Sequence, residues 1–136
     1  MKRTPLLNRH LSSLIASLGH LDEIIIADAG LPAPKGVDVI DLAIIPGLPA
    51  FFDVLRALKS ELVIEAAICA EEAGTALVEK MKEEMDDWSE ECRQPISFSK
   101  VSHLVFKERS VNAKAIIRTG ETTPYANLIL VSGVSF

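Results

Sequence analysis

Glu23-Ile24-Ile25-Ile26-Ala27-Asp28-Ala29-Gly30-Leu31-Pro32 is the stretch on which the reading of this chain turns. Three consecutive isoleucines lack the alternation of a half-exposed strand and suit one covered by helices on both faces. The strand from Glu23 to Asp28 ends in a carboxylate, and open α/β sheets bind ligands at the carboxyl ends of their strands. From Ala29 to Gly36, two prolines and two glycines exclude regular structure.

Working outward, Asn8 can cap a helix whose Leu11, Leu14, Ile15 and Leu18 fall on one face, with Gly19 as its stop. Val37 to Ala43 predicts a second strand. Pro46-Gly47-Leu48-Pro49 predicts a turn, with Pro49 opening a helix through Leu58. Leu62 to Ala70 reads as a strand interrupted by Glu65. Glu71 to Glu91 reads as a long charged helix burying Ala73, Leu77, Met81, Met85 and Trp88. A short strand at 96–100, a Ser102-capped helix to Ser110, and strands at 115–119 and 128–133 complete the chain. This alternation predicts one α/β domain over residues 1–136, three layers deep, with helices on both faces of a mixed sheet of about six strands. Strand order does not follow from the pattern.

Composition narrows the function. The 136 residues are 49% hydrophobic and carry a net charge of −5, with mean hydropathy +0.27. An acidic chain is a poor partner for nucleic-acid backbones or anionic membranes. No apolar run approaches the roughly 18 to 20 residues that span a bilayer. The basic start Met1-Lys2-Arg3-Thr4-Pro5 is followed only by Leu6-Leu7, which is not an export leader. The apolar excess points to surface covered by other subunits. Cys69 and Cys92 lack metal-ligand spacing and read as reduced thiols of a cytoplasmic protein, Cys69 in the core and Cys92 exposed.

Phosphate loops, dinucleotide glycine fingerprints, nucleophile elbows and zinc signatures are missing. What remains are proton-handling and hydroxyl-binding side chains at strand rims. His20 follows Gly19 and precedes the first strand; an imidazole there can exchange protons at neutral pH or be a plain surface histidine. Asp28 suits either a turn or a ligand site, and Gly30 beside it a backbone shape denied to side chains. If the strand is extended, His20 and Asp28 lie at its opposite ends. They share a site only if the loop folds back or a neighbouring subunit supplies one of them. His103 can project from a helix start, and exposed histidines are common there. His10 reads as solvated. In Gly120-Glu121-Thr122-Thr123-Pro124-Tyr125-Ala126-Asn127, the tyrosine ring can cover a sugar face and Asn127 can match a hydroxyl, or the segment is a turn with a packed aromatic. Glu65, a carboxylate inside an apolar strand, either has a structural partner, with Arg118 a candidate, or lines a pocket. The acidic run at 83–87 reads as a solvated helix face. Nothing in the pattern says whether Lys35 or Glu121 reaches a pocket.

Taken together, Gly19-His20, Asp28-Ala29-Gly30-Leu31-Pro32-Ala33-Pro34, Ile40-Asp41-Leu42-Ala43, Gly47-Leu48-Pro49, Glu65-Ala66-Ala67 and the 120–127 segment form one ordered set. In this the chain resembles the D-ribose pyranase family, sisters of the fucose mutarotases. The resemblance runs to Gly133-Val134-Ser135-Phe136, and only the helix from about Ala73 to Cys92 departs freely. It implies pyranose–furanose interconversion of β-D-ribose without cofactor or metal. His20 would be the proton donor and Asp28 a substrate ligand. His103 would contact the sugar, with Tyr125, Ala126 and Asn127 binding its hydroxyls. It also implies a homo-oligomer, a decamer of two pentameric rings with sites between subunits. A mutarotase for fucose or another monosaccharide, and a non-catalytic sugar-binding accessory protein, are the alternatives.

Overall fold

The isoleucine run divides itself between two cores. Ile24 and Ile26 enter a large cluster beneath the first three helices, while Ile25 and Ala27 enter a smaller one around Phe106 on the other face. The computed structural model describes residues 1–136. The elements run α1 (Arg9–Ser17), β1 (Glu23–Ala27), β2 (Asp38–Asp41), α2 (Phe51–Lys59), β3 (Ile64–Ala70), α3 (Thr75–Cys92), β4 (Ser97–Val101), α4 (His103–Ser110), β5 (Ala115–Arg118) and β6 (Leu128–Ser132). The expected three-layer α/β architecture with a six-stranded mixed sheet is what the chain forms.

Strand order is β2-β5-β1-β6-β3-β4. Only β6 runs against its neighbours, antiparallel to both β1 and β3, while β2, β5 and β1 are mutually parallel and β3 is parallel to β4. The carboxyl ends of five strands and the amino end of β6 therefore share one edge of the sheet. The loops before β1 and β3 share the opposite edge. This placement decides the chemistry.

Several local expectations hold and others need correction. Asn8 caps α1, its side chain accepting from the His10 and Leu11 amides at 2.9 and 3.0 Å. Ser102 caps α4 through the Val105 amide at 3.2 Å. Gly19 is not the stop of α1: the helix ends at Ser17 with Leu18 extended, and Gly19 is not among the positive-φ glycines. Pro49 stands upstream of α2 rather than in its first turn; Ala50 occupies the cap position and its amide donates to Asp53 at 3.1 Å.

Helix α3 starts at Thr75, so Ala73 precedes it, and Val78 rather than Leu77 is the fully buried member of that turn. Glu84 is not solvated. It is 9% exposed, accepting from Arg56 Nε at 2.7 Å and facing Lys59 Nζ at 3.6 Å, pairing that makes its burial tolerable. Cys69 is buried as expected, whereas Cys92 is half-buried against the core rather than exposed.

Candidate functional site

At the shared carboxyl edge, a cavity of about 260 Å³ is lined by Asp28, Gly30, Leu31, Pro32, His103, Pro124, Tyr125 and Asn127. It falls just below the roughly 300–1,000 Å³ of typical ligand pockets, a size for one small polar molecule. Residues 28, 103, 125 and 127 converge because β1, β4 and β6 present their ends there. Sequence distance is bridged by topology alone.

Asp28 and Asn127 form a reciprocal pair. The Asp28 amide donates to Asn127 Oδ1 at 2.8 Å, and Asn127 Nδ2 donates to Asp28 Oδ2 at 3.1 Å. Asp28 Oδ1 also accepts from the Gly30 amide at 2.9 Å, so the turn role and the rim role coexist. The spare lone pairs of this carboxylate remain to accept from a hydroxyl. Gly30 is not required by its backbone: its φ is not positive, and an added Cβ would meet nothing closer than Asp28 at 3.6 Å. Arg118 stiffens the loop by donating to the Ala29 carbonyl at 3.1 Å while gripping Asp41 at 3.0 Å.

The His103 ring lies edge-on to Tyr125, centroids 5.0 Å apart, and near-parallel to Phe106 at 6.4 Å. Its Nδ1 is buried and makes no hydrogen bond within the chain, so any partner must come from outside it. Its backbone amide is fixed by Glu72 Oε2 at 2.7 Å, an anchor for which the sequence held no signal. Tyr125 has φ +62, a left-handed conformation costing on the order of 1 kcal/mol in a non-glycine residue and concentrated at functional sites. Ala126, between them, sends its methyl group into the core and its amide to the Thr123 carbonyl at 3.3 Å.

His20 is elsewhere. It is exposed at the opposite edge of the sheet, one strand length from Asp28, roughly 17 Å for five residues at about 3.3 Å each. The loop does not fold back. Its Nε2 instead meets Glu65 Oε2 at 2.9 Å, which corrects the expected Glu65–Arg118 pairing, since Arg118 holds Asp41. Glu121 does not line the cavity; its carboxylate accepts from the Phe51 amide at the start of α2, 3.0 Å away. Lys35 is exposed and also absent from the lining. His10 is exposed, as read.

Fold and cavity define a class: a three-layer α/β domain with a small, largely polar pocket at one sheet edge. Comparison with known proteins makes it particular. The chain belongs to the RbsD / FucU transport protein family, whose model matches residues 1–135. It is 50% identical to the D-ribose pyranase of Geobacillus thermodenitrificans, covering 100% of this chain and 99% of that one. To the D-ribose pyranase of Vibrio cholerae it is 45% identical over the whole of both chains. Among solved structures, it matches Bacillus subtilis RbsD complexed with D-ribose at TM-score 0.87 and 44% identity, all of both chains covered. A fucose mutarotase from Streptococcus pneumoniae in complex with L-fucose shares the fold at TM-score 0.80 and 23% identity, covering 98% of this chain and 99% of that one.

Proposed function

We propose that this protein is an isomerase interconverting the pyranose and furanose forms of D-ribose by acid–base ring opening and closure. The observation that carries this reading is the convergence of Asp28, His103, Tyr125 and Asn127 on one cavity in a chain 45–50% identical to D-ribose pyranases along its whole length. Asp28 and Asn127 hold sugar hydroxyls, the unpartnered His103 Nδ1 takes another, and Tyr125 covers a sugar face. Ala126 contributes through its backbone.

Ring opening needs a proton on the ring oxygen and removal of one from the anomeric hydroxyl; closure through a different hydroxyl gives the other ring size. A positioned acid accelerates such a step about 10² to 10⁴-fold, and this chemistry demands no metal or cofactor. His20 is the acid in this reading. Because it stands at the far edge of its own sheet, it completes the cavity of a neighbouring protomer. The assembly is a homo-oligomer, taken as two stacked pentameric rings, with residues 1–136 of each chain acting as one unit. Exposed Ile44, Ile45, Leu48, Leu104 and Val105 supply the apolar surface it needs. Two unpaired cysteines support a cytoplasmic setting, and no helix is long and apolar enough to cross a membrane.

The test is exchange NMR on ribose. His20→Ala should abolish catalysed exchange while ribose binding persists; unchanged exchange removes His20 from the mechanism. Co-refolding His20→Ala with Asp28→Ala protomers should restore about a quarter of the sites, the random fraction in which both intact residues meet across an interface. No recovery would mean that the two residues do not serve one shared site.

A further inference from the structure

His20 and Glu65 stand 45 positions apart and meet at 2.9 Å through His20 Nε2 and Glu65 Oε2. Three features make the contact more than a surface pair. The β3–β6 register shifts between Ile64 and Ala66, which leaves Glu65 at the irregularity; such bulges re-aim a side chain next to functional sites. The His20 loop is also held rigidly. The Gly19 amide donates to Asp22 Oδ2 at 2.7 Å, Lys114 Nζ donates to the same oxygen at 2.9 Å, and Leu21, at φ +68, donates its amide to Ser132. Finally, the two side chains are 51% and 41% exposed, where an ion pair adds little to stability.

Resting on the reading of His20 as the acid, we infer that Glu65 is its positioning residue and that Nδ1 is the nitrogen that carries the transferred proton. An ionised carboxylate only accepts, so Nε2 keeps its hydrogen in both the neutral and the protonated ring. Nδ1 is left to give and take, the arrangement by which a second group sets the tautomer of a working histidine. On opening, Nδ1 gives its proton to the ring oxygen as the bond from that oxygen to the anomeric carbon breaks, and the anomeric hydroxyl loses its proton to water. On closing, the attacking hydroxyl returns a proton to Nδ1 and the carbonyl oxygen regains one from water. The imidazole ends as it began.

The assembled protein carrying Glu65→Ala, Glu65→Gln or His20→Ala is compared with the native chain by ribose exchange NMR. Glu65→Ala is expected to lower kcat about 10- to 100-fold with KM nearly unchanged. Glu65→Gln keeps an acceptor oxygen in place and should lose less. Nitrogen NMR of the ring should place the hydrogen of native His20 on Nε2, and Glu65→Ala should lose that preference, because its action passes through the imidazole. Full kcat in Glu65→Ala, a change confined to KM, or a His20 tautomer unmoved by Glu65→Ala would each overturn the inference, while an inactive His20→Ala leaves the wider reading standing. An active His20→Ala removes both.

Discussion

Glu121 illustrates how a single side chain can be tuned without touching the cavity. Burial pushes its carboxyl up, but hydrogen bonds from the Phe51 amide, the Thr123 hydroxyl and the neighbouring amides outweigh that and hold it below the usual carboxylate range. A carboxyl depressed in the folded state contributes stability that is present above its unfolded value and lost as pH falls through the folded one. Glu121→Gln should therefore melt earlier than the native chain at pH 7, by on the order of 1 kcal/mol. The gap should close below the carboxylate range. Thermal melts from pH 7 to pH 3 check this, and a gap constant across that range would contradict it. Cys69 shows the opposite direction, burial pushing its thiol up, so it belongs to the core rather than to any reactive site.

Between elements, the decisive contact is the junction of the 45–49 turn with the end of β5. The Gly120 amide donates to Pro49 at 2.9 Å and its carbonyl accepts from Gly47 at 2.6 Å. A Cβ on Gly120 would lie 2.5 Å from the Leu48 carbonyl oxygen and 2.7 Å from that of Ile45, backbone atoms that cannot swing aside. Gly120→Ala should cost about 1–3 kcal/mol, the range for overpacking, measured by urea unfolding. A neutral result would show that the turn yields freely. This turn carries the exposed Ile45 and Leu48, with exposed Ile44 just before it.

At the scale of the whole molecule, the two edges of the sheet hold two halves of the proposed chemistry. Asp28, His103, Tyr125 and Asn127 sit at one edge and the His20–Glu65 pair at the other. On the proposed reading, a protomer alone is an incomplete catalyst. Ile44→Asp with Ile45→Asp should shift sedimentation velocity toward the free protomer and reduce ribose exchange at least about tenfold, with the helical circular dichroism kept. Full exchange by a monomeric variant would show that no neighbour is required.

Much of this was legible in the residues. Local signals report local interactions: the Asn8 and Ser102 caps, the isoleucine run sharing itself between two cores, and the Tyr-Ala-Asn segment opening the last strand were all readable. Those signals determined the element order, the α/β class and the rim positions of Asp28, His103, Tyr125 and Asn127. Tertiary structure alone decided that β6 runs against β1 and β3, that Glu65 answers His20 rather than Arg118, and that Glu84 is held inside by Arg56 and Lys59. Each of these depends on which distant segments become neighbours. Side-chain periodicity encodes which face of a strand is apolar, but not which strand will lie beside it.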